Sequence, residues 1–245
     1  SPKIRQHIYS DYFNNFLCEK QYQYHFDKNI FPVGEKKAHQ KLKNFCQFKI
    51  EDYPTNRNFP YLEHTSMLSP YLSIGVLSSR QCLIELLKNQ KYTLKMLYNM
   101  VWLNEIIWRE FYYHLFIGYP YLSQSQSLQP WEKNIIWSND SKKFCSWKNG
   151  ETGIPIIDAG MRQLKKIGWM HNRLRMITAS FLVKNLLINW RKGEKYFMSQ
   201  LIDGDCALNN GGWQWAASVG SDAVAYTRIF NPLLQSKKID KDGIF

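Results

Sequence analysis

The stretch DGDCALNNGGWQWAAS, from Asp203 to Ser218, brings two acids, two amides and two tryptophans into one short window. With Asp205 as a helix N-cap, Asn209 and Trp213 stand four residues apart on one helical face. Trp215 projects roughly 200° away from Trp213 and serves a different neighbour. Gly211 and Gly212 inside a helix cost about 1 kcal/mol each relative to alanine. A flat, bulky group packed against the backbone would account for that cost. A close helix–helix crossing, with Asn209 as a buried and satisfied amide, would account for it equally, and the window alone leaves both readings open.

Two other groupings have chemical potential. Trp102, Glu105, Arg109 and Tyr112 recur at helical spacing, with Trp108 at the edge of the stripe. Such a face pairs a base-stacking ring with hydrogen-bonding groups in a pocket, or it is a solvated amphipathic surface. Thr65, Ser66 and Ser69 flank Pro70. Hydroxyls beside free backbone N–H groups suit a phosphate or diphosphate, and they suit ordinary turn formation as well.

Helices must position these groups. Glu35 to Phe48 reads as one, with Ala38, Leu42, Phe45 and Phe48 on its core face. A loop from Ile50 to Glu63 follows, marked by Pro54, Asn56 and Pro60. Ser78 and Gln81 resemble a capping box opening a helix to about Gln90. A long helix from Asn99 stops at Gly118 and Pro120, with Leu103, Ile106, Ile107 and Leu115 as its core face. Trp131, Trp137 and Trp147 sit in irregular polar sequence. A helix from about Ile156 to Ile167 carries Lys165 and Lys166 in its last turn and Gly168 at its stop. The run from Trp169 to Trp190 opens another, with Asn172, Arg175, Met176 and Ala179 along one side and Arg173 elsewhere. A helical turn from Glu194 to Leu201 leads back to Asp203. There is no credible strand alternation and no internal repeat, so the fold class is all-α, an irregular helical bundle.

The 245 residues hold one large domain or two small ones. A net charge of +12 suits a polyanionic partner, although lysine richness also follows from an AT-biased genome. Five scattered cysteines and six histidines without paired spacing point to neither a disulfide framework nor a zinc site, and a reducing cytoplasm fits best. The most apolar run, Ile177 to Ile188, is too short to span a bilayer and contains Lys184 and Asn185. No signal peptide is present, and the start at Ser1 reads as that of a fragment. Dinucleotide-fold, P-loop and nucleophile-elbow signatures are missing as well.

WLNEIIWREFYYHL, TGIPIIDAGMRQL, GWMHNRLRMITASFLVKNLLINWR and DGDCALNNGGWQWAAS together resemble the cryptochrome/photolyase family. Within it the chain is most similar to class I cyclobutane pyrimidine dimer photolyases of the bacterial, folate-antenna type, from about Phe31 to Pro232. The resemblance implies an interdomain connector over residues 1–34 and, over 35–245, a helical catalytic domain that binds FAD and DNA. It implies FAD lined by Tyr53, Thr65, Ser66, Met67, Leu68, Ser69 and Trp102 on one side. Asn172, Arg175, Asp203, Gly204, Asp205 and Asn209 line the other, Asn209 facing flavin N5. Glu105, Trp108, Met176 and Trp215 match the dimer pocket and, with Asn209, the catalytic set. Arg57, Arg109, Tyr112, Asn172, Arg173 and Gln235, together with Glu105 and Trp108, match positions at the DNA. Trp213, Trp190 and Trp137 match an electron relay from flavin to surface.

The implied reaction is electron transfer from excited, fully reduced FAD to a flipped-out dimer, ring splitting, and return of the electron. The implied partner is DNA containing such dimers, with no membrane and a monomeric, cytoplasmic protein. The family's N-terminal α/β domain, which carries the methenyltetrahydrofolate-type antenna, has no counterpart here, and the C-terminal end reads as truncated. Ala225 and Thr227 depart from the family's closing motif. Two rival readings are a cryptochrome-type blue-light photosensor that binds FAD without repair, and a basic helical DNA-binding module without FAD.

Overall fold

In the computed structural model, which describes residues 29–88, 92, 94–97, 99–222 and 229–245, the backbone is helical almost throughout. The elements are α1 (Glu35–Phe48), α2 (Tyr53–Asn56), α3 (Ser69–Ser73), α4 (Ser79–Lys88), α5 (Leu94–Leu97) and α6 (Val101–Gly118). Then come α7 (Ser141–Asn149), α8 (Pro155–Ile167), α9 (Asn172–Ser180), α10 (Trp190–Gln200), α11 (Cys206–Ala217) and α12 (Pro232–Ile239). Tight 3-10 turns occupy Pro120–Gln124 and Pro130–Asn134, and a π turn occupies Phe181–Asn185. The one strand-like pairing among the described residues is an isolated bridge between Ser138 and Ile188. Among these residues no helix is long and apolar enough to cross a membrane. Residues 1–28 of the expected connector, the predicted helix end at Gln90, and Ala225 and Thr227 lie outside the described residues.

Local signals set many of these boundaries. The Ser78 hydroxyl accepts from the Gln81 N–H at 3.2 Å while the Gln81 side chain accepts from the Ser78 N–H at 2.7 Å, a reciprocal capping box. Gly168 closes α8 in the left-handed region at φ 65°. Pro54, expected in a loop, sits in the first turn of α2, where its missing N–H has no partner to lose.

Two apolar cores form. One gathers Ala38, Leu42, Phe45, Leu86, Trp102 and Ile106 from α1, α4 and α6. The other gathers Trp147, Met161, Leu174, Trp190, Phe197 and Trp213 from α7 to α11. Four expectations need correction. Phe48 is exposed because Cys46 takes the inward position at the end of α1. On α6, Ile107 faces outward, and Trp102 is buried beside Ile106 with its ring 5.0 Å from that of Phe45. Trp147 lies in a true helix, α7, capped by Asp140, and its buried indole donates to the Thr178 carbonyl at 3.1 Å. The helix expected to run on from Trp169 stops at Ser180, where the π turn interrupts it.

α6 joins the two halves by crossing α11. The ring of Tyr112 lies where a side chain at Gly211 would have to be, so Gly211 is the close crossing point.

Candidate functional site

The acid–amide window begins with Asp205, whose carboxylate accepts from the N–H groups of Ala207 and Leu208 at 3.0 and 3.1 Å. The Tyr113 hydroxyl donates to its other oxygen. Asp205 therefore both caps α11 and ties it to α6. Asp203 is buried, and both of its oxygens accept from Nη2 of Arg175, at 3.1 and 2.8 Å. Arg175 is steadied in turn by donating through Nε to the Met170 carbonyl at 2.8 Å. The Ser73 hydroxyl donates to the Gly204 carbonyl at 2.9 Å, and the Trp169 indole donates to Ser69 at 3.1 Å, tying α3 to this floor.

Asn209 donates through Nδ2 to the Glu194 carbonyl at 3.0 Å, which turns its amide oxygen toward the other side. Glu194 accepts from Asn210 at 2.8 Å, and burial raises its carboxyl above the usual range. Three residues beyond Asn209, Gly212 is exposed, and a Cβ there would meet nothing within 4 Å. An open backbone patch beside an oriented amide oxygen, with a half-buried Arg175 held by the buried Asp203, fits a flat, polar-edged ring. Thr65, Ser66 and Ser69 lie half-buried around Met67, which holds φ 50° and bends the segment sharply into α3. Those hydroxyls fit a phosphate-bearing tail. Leu68, Tyr53 and Trp102 are buried as core. The residues present thus fit a flavin nucleotide, with Asp203 bonded to Arg175 and Asp205 to the first N–H groups of α11.

A second group faces outward. Arg57 pairs with Glu105 at 2.7 Å and lies 5.3 Å from the centre of the Tyr53 ring. Arg173 donates to Asn58, and burial together with nearby Arg57 lowers its pKa, partly offset by Glu105. Trp108 is 52% exposed, with the Phe111 ring edge-on at 5.4 Å. Asn172 and Met176 meet at 4.0 Å on α9. Trp215 is half-buried against Phe230, with ring centres 5.9 Å apart. Arg109 turns inward: it donates to Glu110 at 2.9 Å, to the Leu72 carbonyl at 3.0 Å and to the Tyr113 hydroxyl at 3.2 Å. Tyr112 is the spacer at the α6–α11 crossing. These two expected DNA contacts therefore hold the fold in this structure. Gln235 lies half-buried on α12, the only predicted site residue on that helix.

Trp213, Trp190 and Trp137 share one apolar cluster. The Trp213 ring occupies the space beside Gly193, where any Cβ would collide with it. Gly193 stands three residues after Trp190 on the same side of α10, so Trp213 and Trp190 lie within about one helical turn. The Trp213 ring also meets Phe197 at 5.0 Å and Trp147 at 6.0 Å, both edge-on. Trp137 is half-buried and is tied to the loop before Trp190 by the Ser138 N–H, which donates to the Leu187 carbonyl at 2.7 Å. Sequence reasoning missed Tyr113, Gly193, Glu132 and Arg191, each of which is fixed by a partner far along the chain. It also passed over His171, whose place just before Asn172 is an ordinary N-cap signal.

The model of the FAD binding domain of DNA photolyase matches residues 102–245. The chain is 61% identical over 236 residues to a deoxyribodipyrimidine photo-lyase of Buchnera aphidicola from Acyrthosiphon pisum, covering 96% of this chain and 49% of the relative. It is 55% identical over 220 residues to the Escherichia coli K12 protein of the same name, covering 90% and 47%. Among solved structures it is similar to a class III photolyase from Agrobacterium tumefaciens, with TM-score 0.82 and 40% identity over 94% of this chain and 48% of the other. A Synechocystis cryptochrome is similar with TM-score 0.79 and 32% identity over 90% and 47%. The chain spans about half the length of the curated relatives it matches.

Proposed function

The chain belongs to the family of FAD binding domains of DNA photolyases, and from that premise we propose that it carries the repair centre of a photolyase acting on cyclobutane pyrimidine dimers. The observation that carries this reading is the oriented Asn209 amide and open backbone at Gly212 on α11, against which α9 packs with Arg175 paired to the buried Asp203 carboxylate. Bound FAD in its fully reduced form supplies the electron on excitation. The protein binds, orients and shields. Arg175, held by Asp203 and Met170, presents a fixed cation to the flavin ring. Asn209 offers a neutral oxygen that accepts a hydrogen bond without forcing a charge.

On the outer face, Trp108 gives a flipped base a stacking surface, and Glu105 gives it a hydrogen-bond partner, with Met176 and Trp215 closing the pocket. Photolyases are among the enzymes that extrude their target, and a lesion already weakens the stack that must be broken. Arg57 and Arg173, on a chain of net charge +12, neutralise phosphates, so affinity falls steeply with salt. Trp213, Trp190 and Trp137 form a path for electrons between flavin and surface. Dimer-bearing DNA is the proposed substrate, and a monomer in the cytoplasm is the proposed state; the proposal assigns no residue of this chain to a folate-type antenna.

The test is the visible absorption of the purified protein, followed by illumination with dimer-containing DNA under reducing conditions. Flavin absorption with light-dependent dimer loss is the expected result. Flavin without repair would favour the photosensor reading, and a colourless protein would leave only a helical DNA-binding module.

A further inference from the structure

Glu132 and Arg191, which the proposed function leaves unused, sit between two of the relay tryptophans. Arg191 donates to both carboxylate oxygens of Glu132, at 2.7 and 3.3 Å, and through Nε to the Ser125 carbonyl at 2.6 Å. Its guanidinium carbon lies 4.6 Å from the centre of the Trp190 ring. The same carboxylate accepts from the Trp137 indole at 3.2 Å. Trp190 is fully buried, and among the described residues its indole N–H makes no well-aligned hydrogen bond, although it lies close enough to Glu132 to help hold that carboxyl down. The Glu132 carboxyl is held below its ordinary range, first by its bonds to Arg191 and further by both nearby indoles, so it stands as a carboxylate.

An indole that has lost one electron is a cation. A guanidinium over the ring face favours the neutral, electron-rich indole and opposes its oxidation. A carboxylate on the N–H does the reverse, because the oxidised indole is a far stronger donor and the bond becomes charge-assisted at both ends. Trp190 has the cation over its ring and only a misaligned approach to the carboxylate, whereas Trp137 holds that carboxylate in hydrogen-bond geometry.

We propose that Glu132 and Arg191 are a charge pair that gives the tryptophan relay its direction, disfavouring the electron vacancy at Trp190 and favouring it at Trp137. The proposal rests on the relay reading given above. One electron leaves Trp213 for the excited flavin, Trp190 refills Trp213, Trp137 refills Trp190, and a thiol reductant in solution refills Trp137. No covalent bond forms or breaks, and the Trp137 indole proton stays in its bond to Glu132. Both residues are positioning residues: they act through the indoles.

The test uses the flavin-loaded full chain and the double variant E132Q/R191Q, which removes both charges together and leaves the net charge unchanged, with the shape kept at position 132 and the guanidinium lost at 191. Transient absorption after flavin excitation should show the ratio of oxidised Trp137 to oxidised Trp190 falling about tenfold, with faster charge return; tenfold corresponds to 1.4 kcal/mol. In 15N-tryptophan spectra taken in the dark, the Trp137 indole N–H resonance should move, and the Trp213 resonance should stay. R191K keeps the cation and should retain the parental ratio. An unchanged ratio in the double variant, or a loss in R191K as large as in the double variant, overturns the proposal. W137F and W190F separate the two levels of the argument. If either still photoreduces fully, the relay reading itself has failed; if both are blocked while E132Q/R191Q matches the parent, the relay stands and the charge pair falls.

Discussion

His171 makes the stability of this fold depend on pH over a window that can be named in advance. Its Nδ1 accepts from the Arg173 N–H at 3.2 Å and caps α9, so the ring proton sits on Nε2, which is buried without a partner among the described residues. A second proton would cancel the cap and place a cation among Arg173, Arg175 and Arg57. Burial first, and then those three arginines, lower its pKa from 6.5 to about 4. A base whose folded pKa is depressed contributes fully above its unfolded pKa. Below about 6.5 the unfolded chain takes up the proton first, and stability falls until the folded pKa near 4 is reached. At 1.36 kcal/mol per pH unit the whole effect is about 3 kcal/mol. The perturbation is H171N, since asparagine caps a helix without titrating. Urea unfolding followed by far-UV circular dichroism at pH 7.5, 6.0, 5.0 and 4.5 should show the parent losing about 2 to 3 kcal/mol more than H171N across that range. The variant will start lower through lost packing, but only the difference in slope matters. Parallel slopes would refute the assignment of a neutral, proton-excluding His171.

Three further outcomes follow from the same geometry. R175L leaves the buried Asp203 carboxylate without its partner and should lower unfolding free energy by about 3 kcal/mol, read by urea titration, and release flavin, read by visible absorption after gel filtration. G211A drives a methyl group into the Tyr112 ring and should destabilise by about 1 to 3 kcal/mol, whereas G212A should stabilise the flavin-free chain by up to about 1 kcal/mol while weakening flavin retention; a flavin affinity unchanged in G212A would remove that backbone patch from the cofactor site. E105Q frees Arg57 from its ion pair, so undamaged DNA should bind more tightly and with a salt slope steeper by about 0.9, while preference for dimer-bearing DNA declines; an unchanged slope would mean that Arg57 does not reach a phosphate.

What could be read from sequence was what is settled within a few residues. The Ser78–Gln81 box, the Asp205 cap and the Gly168 stop all form with partners no more than four positions away. A local signal also starts α7, where Asp140 accepts from the Lys143 N–H at 3.0 Å, inside a stretch whose polar, tryptophan-bearing sequence reads as irregular. Phe48 failed because periodicity assigns a face but not the residue at which a helix leaves the core. The remaining features depend on chain closure. Tyr113 meets Asp205 across 92 positions and Arg191 meets Glu132 across 59, and no spacing rule reaches that far. Each of those contacts joins elements from different parts of the bundle, so the residues that aim the site are the ones least visible in the chain that encodes it.

The adjacent glycines of α11 show the same limit at its sharpest. At about 100° per residue, neighbours on a helix face different surroundings. Gly211 meets the Tyr112 ring, and Gly212 meets open space. A close crossing and a ligand against bare backbone were competing explanations of one dipeptide, yet the geometry divides them, the first belonging to Gly211 and the second open to Gly212. The crossing at Gly211 brings α6 hard against α11, and Tyr113, one residue beyond Tyr112, thereby reaches the Asp205 cap. The structural glycine thus sets the frame in which Asn209 and Gly212 face outward together. Substitution at 211 should therefore disturb flavin binding only through lost packing, in proportion to its effect on unfolding, whereas substitution at 212 should uncouple the two.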